Sequence, residues 1–438
     1  MTAIEPAVRD EVRRAVVDAL GQQTAVRFLR CFDDVLAGTA RRLADGTTFV
    51  LTGDIPAMWL RDSSAQVRPF LALADRSAAT RDLIEGLIAR QAAFIRTDPY
   101  ANAFNAAPDG AGHRGDLTEL SPWVWERKYE IDSLAYPLQL AFMYWRATGR
   151  TGWCDARFHE AARIVVDVWT VEQDHDARSP YRFERPDAPV PTDTLSRDGR
   201  GPRHAPTGMT WAGFRPSDDA CTYPYHVPGN AMATVALAQL AAIAHDLLGD
   251  GELADRATAL ADRIRAGMAE HALVEVPGRG RVWAYEVDGL GGQVLMDDAN
   301  VPSLLSLPMI GFCPVDDPVY RATRELVLSP TNPYFVAGSA AAGIGSPHTP
   351  PGTVWPIALA VQGITSRDEA ERAELLATLL ATDAGTGLMH ESFDADDPTR
   401  YTRPWFSWAN ATFCELVLDM AGLPVSPLAA APLPGERR

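Results

Sequence analysis

Cysteine is scarce. Five thiols, Cys31, Cys154, Cys221, Cys313 and Cys414, are spread over 438 residues with no Cys-x-x-Cys pair. An odd, widely spaced set argues against a disulfide framework or a zinc knuckle, and free thiols in a reducing compartment are expected. Positive charge is also short: Lys and Arg number 40 against 57 Asp and Glu, a net charge of -17. A polyanion would be repelled, so no nucleic-acid partner is expected. There is no clean apolar run of membrane length. The longest, Ala231–Leu248, carries His245 and Asp246 and reads as a buried helix, so no membrane partner is expected either. The first eleven residues hold acids and no apolar stretch, which argues against a secretory signal and for a cytoplasmic location. A Gly-x-Ser-x-Gly elbow, a phosphate-binding Gly-x-x-x-x-Gly-Lys loop and a His-Glu-x-x-His pair are all missing.

What the chain does have is helical periodicity. Hydrophobic residues make up 47% of it, enough for a large core. Apolar residues three and four apart mark helices over Val8–Leu20 (closed by Gly21), Ala25–Leu36 (closed by Gly38), Ser63–Asp75, Ile84–Ile95, Ile131–Trp145 and Phe158–Trp169. Ala231–Leu248 is apolar on nearly every side, as a helix buried all round would be. Further helices are expected over Leu253–Met268, Val301–Leu307, after Asp317-Pro318, over Thr353–Gly363, after a capping box at Ser366–Glu369, and over Ala409–Met420. Strand signals are confined to Thr47–Thr52 and Arg281–Val287. Residues 1–424 read as one catalytic domain and 425–438, rich in proline and alanine, as a loosely ordered tail. Between Thr170 and Gly229 lies a long segment rich in Pro, Asp and Arg, a length that usually serves a function.

Aromatic and charged residues gather before alternate helices. Trp59-Leu-Arg61-Asp62, Lys128-Tyr-Glu130-Ile-Asp132, Phe214-Arg215-Pro-Ser-Asp218-Asp219, Met296-Asp297-Asp298-Ala-Asn300, Gly352-Thr-Val-Trp355 and His390-Glu391-Ser-Phe393 each precede a helix of the alternate set. In up-down helix pairs every second helix starts at the same end. These stretches would then meet at one face, and six hairpins closing into a ring give an all-α (α/α)6 barrel.

The densest stretch is Trp211–Tyr225, with two adjacent carboxylates, an arginine and four aromatic rings in fifteen residues. Rings offer flat faces to sugar C–H surfaces, charged groups hold hydroxyls, and a carboxylic acid can protonate a leaving oxygen. Carboxylates dominate the expected face, and a pair acting as acid and base is the apparatus of glycoside hydrolysis. Asp297, Asp298, Asp62 and His390 also make a conceivable metal set.

Four stretches together resemble a known family: Gly53–Ser63, Lys128–Ser133, Gly213–Asp219 and His390–Phe393 are similar to the metal-independent exo-α-1,6-mannosidases of glycoside hydrolase family 125. The resemblance implies an (α/α)6 barrel that removes terminal mannose from α-1,6-linked glycans with inversion, needing no cofactor or metal. Its partner would be a mannose-containing oligosaccharide. It implies Asp218 as general acid, with Asp219 as the fallback, and Glu391 as general base. Arg61 and Asp62 would hold mannose hydroxyls, with Asp132, Arg215, Asn300, Trp355 and His390 as further candidates for the pocket. In an inverting enzyme the two carboxyls stand roughly 6.5–9.5 Å apart to admit a water. Two alternatives differ in chemistry. One is a non-hydrolytic epimerase or lyase with a base such as His348 or His390. The other is a calcium-dependent α-mannosidase.

Overall fold

The first helical stretch, Pro6–Asp34, is broken at Gly21, whose φ of 85° and ψ of 167° suit only glycine. The sequence break expected there is therefore real, whereas Gly38 sits inside a π turn, Val35–Thr39, that carries the helix on. The computed structural model describes residues 4–425, so all of the expected tail but Val425 lies outside the described residues. Among these, helix dominates, at 49%.

Local chemistry sets most helix ends. Gly149, at φ 67°, closes the helix Ile131–Thr148. Asp155 opens Ala156–Val171 by accepting the backbone N–H groups of Arg157 and Phe158. Asp317 caps Pro318–Val327 through the N–H of Tyr320. The helix Val227–Ile243, extended to Leu248 by a π turn, is long and apolar enough to cross a membrane. It is nevertheless packed between Ile131–Thr148 and Gly251–His271, and its all-round apolar surface serves that contact.

Three expectations are corrected. The helix expected from Ser63 to Asp75 is Leu60–Val67 followed by a 3-10 turn, Arg68–Leu73, because Pro69 has no N–H for an α-helical bond. No helix forms over Val301–Leu307. The N–H groups of Leu304 and Leu305 go instead to the Asp297 carboxylate at 2.8 and 2.9 Å, which makes a turn. The helix Glu369–Ala381 is capped by Asp368 rather than Ser366, whose hydroxyl turns to Glu371.

The helices start from a set of small sheets that the sequence barely signals. Thr48–Val50 and Gly280–Trp283, where strands were expected, pair with Ala40–Arg42 and Leu273–Val276, where none were. Three further three-stranded sheets are made from strands of only two or three residues. Met58–Trp59 runs into the helix Leu60–Val67, Tyr225–His226 into Val227–Ile243, and Thr353–Val354 leads to Pro356–Ile364. Each sheet ties its loop to two others before the helix begins.

The helices that follow those loops pack side by side. Leu60–Val67 lies against Ile131–Thr148 on one side and Ser407–Met420 on the other. Ile131–Thr148 continues to Val227–Ile243, and Pro356–Ile364 packs on Ser407–Met420. Outside them lie Pro6–Asp34, Ala78–Thr97, Gly251–His271 and Glu369–Ala381, each against one of the inner set. The turn segment after Val301 rests on Ile131–Thr148, where Tyr136 donates to the Val301 carbonyl and Gln139 to that of Ile310. A continuous core runs through all of these elements, from Ile4 to Val425.

Candidate active site

A pocket of about 450 Å³ opens where the inner helices begin. Its wall is assembled from five loops: Thr52–Asp62, Pro216–Asp218, Asn300, His348–Trp355 and Glu391–Trp408. Trp59, Trp355, Phe406 and Trp408 supply flat apolar faces, and Arg61, Asp62, Asp218, Glu391 and Arg403 supply charge. That mixture suits a ligand with both C–H faces and hydroxyls.

Arg61 is the hub. It is buried, and its guanidinium reaches Glu130 at 2.5 Å, Asp132 at 3.1 Å and Asp218 at 3.1 Å, with Asp62 at 3.6 Å. Its plane also lies 5.5 Å from the Trp408 ring. Asn102 donates to Asp218 at 3.2 Å and also faces Glu126 and Glu130. Lys128 donates to the Asp218 carbonyl at 2.8 Å and to Asp193 at 2.5 Å. Asp218 sits at φ 66°, a left-handed conformation that asparagine and aspartate tolerate better than other side-chain-bearing residues. Strain of this kind gathers at functional sites.

Proton affinities diverge across this cluster. Burial pushes Glu130 well above the usual carboxylate range, with Arg61 opposing and Asp218 adding to the rise. Burial likewise raises Asp132 to about 6 against the pull of Arg61. Burial works against a charge on Asp218 too, but Arg61, the hydrogen bond with Glu130 and Lys128 hold it below the usual range. Asp62 is raised by burial, although Arg61 and the Thr52 hydroxyl oppose it.

On the other side, Glu391 pairs with Arg403 at 3.5 Å, and His348 adds positive charge from farther away. Arg403 is itself paired with Asp54 and lies over the Phe406 ring at 4.6 Å. Gly53 lets the two loops meet: a Cβ there would fall 2.4 Å from the Trp405 carbonyl oxygen, and φ is 142°. His348, on the wall, is 3.6 Å from Asp219. Burial works against a charge on His348, but Asp219 outweighs it and pushes the pKa up to about 9. Among the described residues no group of three or more His, Cys, Asp or Glu side chains is arranged to hold a metal ion.

A family of metal-independent α-mannosidases, glycoside hydrolase family 125, matches residues 21–418. The chain belongs to that family. This family 125 chain is similar to a Streptococcus pneumoniae metal-independent α-mannosidase, solved as a non-productive complex with α-1,6-mannobiose. The two are 49% identical with a TM-score of 0.93, covering 96% of this chain and 100% of the other. The meiotically up-regulated gene 157 protein of Schizosaccharomyces pombe is 40% identical over 416 residues, 90% of this chain and 81% of that protein. A bacterial glucoamylase complexed with acarbose shares the fold at 14% identity and a TM-score of 0.56, over 84% of this chain and 49% of its own. The protein is thus an α-mannosidase, a glycoside hydrolase.

Within this mannosidase, the expected site residues divide into two tiers. Arg61, Asp62, Asp218, Asn300, Trp355 and Glu391 share the pocket wall. Asp132, Arg215, Asp219 and His390 stand behind it. Asp132 supports Arg61. Arg215 forms a buried two-point pair with Glu286 at 2.5 and 3.0 Å. Asp219 faces His348, and His390 stacks on Tyr401 with ring centroids 3.7 Å apart. Asp297 and Asp298 are occupied by local backbone and Asn300 donors, and burial pushes Asp297 up to about 8. Sequence reasoning missed Thr52, Asn102 and Arg403. Asn102 lies in a bend before a two-residue strand with no recognisable pattern, and Thr52 showed only as the end of a strand signal, in a loop past the observed strand Thr48–Val50. Arg403 was findable: it lies between the His390–Phe393 stretch already singled out and the helix expected over Ala409–Met420.

Proposed function

We propose that this chain is an exo-acting, inverting α-1,6-mannosidase on an (α/α)6 barrel, with Asp218 as general acid and Glu391 as general base. The division of labour among the carboxylates on the pocket wall carries this reading. Asp62 is tied to Thr52 and Arg61. Among the described residues Glu391 forms one ion pair, with Arg403 at 3.5 Å, which leaves oxygen lone pairs available to orient and deprotonate a water. Asp218 lies beside Glu130, whose proton affinity burial raises, so a proton for acid catalysis can be held next to it.

The chemistry then runs in one displacement. Asp218 gives a proton to the glycosidic oxygen as the C–O bond breaks, and Glu391 takes one from a water attacking the opposite ring face. Arg61, Asp62 and Asn300 hold mannose hydroxyls, and Trp355 and Trp408 face its C–H surfaces. A pocket rather than an open groove favours removal of one terminal sugar. The 49% identity to an enzyme whose complex holds α-1,6-mannobiose supports the linkage. The inner helices that pack side by side, with an outer helix against each, support the barrel. Five free cysteines, three of them buried, support a reducing, cytoplasmic setting.

Proton NMR of α-1,6-mannobiose hydrolysis, run with EDTA present, tests the reading. β-Mannose should appear first. Early α-mannose would mean retention and would remove Glu391 from the base role.

A further inference from the structure

Four carboxyls crowd around Asp218: Asp62, Glu126, Glu130 and Asp132. They face Arg61 and Lys128 directly, and His348 and Arg403 act on Asp218 and Asp62 from farther away. Arg185 neutralises part of Glu126 but also serves Asp116. Carboxyls buried this close together are hard to ionise all at once, and the group best shielded from water keeps a proton. That group is Glu130. Its side chain is fully buried, while that of Asp218 is 23% exposed to the pocket. Ser133 donates to the Glu130 oxygen that Arg61 also holds, at 2.8 Å. Glu130 and Asp218 are within hydrogen-bond reach of each other, and Arg61 and Asn102 each touch both.

We propose that Glu130 is the positioning residue that stores the catalytic proton, passing it to Asp218 across their shared hydrogen bond when sugar enters the pocket. The inference rests on Asp218 being the general acid. In the empty pocket the pair carries one proton, on Glu130. A bound mannose displaces the water that solvates Asp218, and the balance tips. The Glu130 O–H bond breaks as the Asp218 O–H bond forms, leaving Glu130 ionised against Arg61 and Ser133. Asp218 then protonates the leaving oxygen. The doubly ionised pair left behind recovers its proton from solvent after product leaves. No redox partner or further reactant is involved.

Other titratable groups bear on the pair. Asp132 on Glu130's own helix adds negative charge, and Lys128 and His348 on the flanking loops add positive charge. Burial weighs most on Glu130, and the like-charge partner adds to it, making the second ionisation of the pair difficult and moving it to higher pH. Loss of activity at high pH therefore belongs to the pair rather than to Asp218 alone.

The test is the pH profile of Glu130→Gln on two substrates. α-1,6-Mannobiose needs a protonated leaving group, whereas α-mannosyl fluoride does not. Without the Glu130 carboxyl, Asp218 loses its proton store and stays ionised under Arg61 and Lys128. The basic limb of kcat/KM on mannobiose should move to the acid side by about one pH unit or more, and the rate at pH 7 should fall about tenfold or more. Turnover of the fluoride should stay within about threefold of the unsubstituted enzyme. An unmoved limb, or equal slowing of both substrates, overturns the proposal. If Glu130→Gln does not fold, the unsubstituted enzyme decides. Its basic limb on mannobiose should lie above about pH 6 and vanish with the fluoride, and a limb below about pH 5 overturns the proposal. Asp218→Asn separates the two readings. Retained mannobiose turnover there would remove Asp218 as the acid, whatever Glu130 does.

Discussion

Arg403 Nη1 stands 3.5 Å from Glu391 Oε1, and the same guanidinium grips Asp54 on the loop that enters the Leu60–Val67 helix. One side chain thus fixes the carboxylate assigned as base and joins two walls of the pocket. Arg403→Met removes both pairs while keeping the apolar stem. A partner lost from a buried charged contact costs about 1–3 kcal/mol, so kcat/KM should fall by about tenfold to hundredfold. Steady-state kinetics on α-1,6-mannobiose checks this. Unchanged kinetics would show that Glu391 is held by other means.

Glu391→Ala removes the proposed base without touching the Arg61 cluster. Turnover should fall by about 10²–10⁴-fold, the usual contribution of a general base. Mannose binding, followed by calorimetry, should persist. Azide should restore part of the rate and yield the β-azide, because a small anion can take the place of the activated water. An α-configured azide would argue for a retaining mechanism.

Stability should depend on a pair deeper in the molecule. Arg68 and Glu415 form a buried two-point contact at 3.0 and 2.7 Å that links the turn after Leu60–Val67 to the Ser407–Met420 helix. Removing one member strands the other, at a cost of about 3–5 kcal/mol. Glu415→Ala should lower the thermal midpoint by several degrees, and replacing both members by apolar residues should recover much of the loss. A single substitution as mild as the double one would show that the pair is hydrated.

His348 and Asp219 give a pH dependence with a defined direction. The folded pKa of His348, about 9, lies above its ordinary value. Its contribution to stability is therefore complete below about pH 6.5 and is lost as pH rises through about 9. The difference in thermal midpoint between the unsubstituted protein and His348→Gln should be largest near pH 6 and should shrink by pH 10. A difference that grows with pH would contradict the assignment.

Most of this architecture was legible in the sequence because helices announce themselves over many residues. The break at Gly21, the cap at Asp317 and the all-apolar helix ending at Leu248 each follow from residue chemistry read locally. The missing helix over Val301–Leu307 was not legible, since its N–H groups are taken by Asp297, whose preference for them depends on tertiary placement. Two-residue strands such as Met58–Trp59 are too short to show alternation. In the site, Arg61, Asp218 and Glu391 were visible as members of dense polar-aromatic stretches. Glu130 was seen as charged, but its full burial beside Asp218 is a property of packing alone. Arg215 and His390 sit in equally dense stretches, yet their partners Glu286 and Tyr401 turn them away from the pocket wall.

Gly53 bridges Phe406, and Asp34 receives the side chains of Trp405, Ser407 and Asn410, the last across 376 positions of sequence. A growing polypeptide emerging from the ribosome therefore makes Thr52, Arg61 and Asp218 long before it makes Glu391, Arg403 and Trp408. The Pro6–Asp34 helix can meet Phe70 early through Phe32, but the rest of its apolar face must wait for Ser407–Met420. Synthesis order alone keeps the nascent enzyme silent, and a chain cut short before residue 391 would carry half a pocket and a partly covered helix, a natural target for chaperones and proteases.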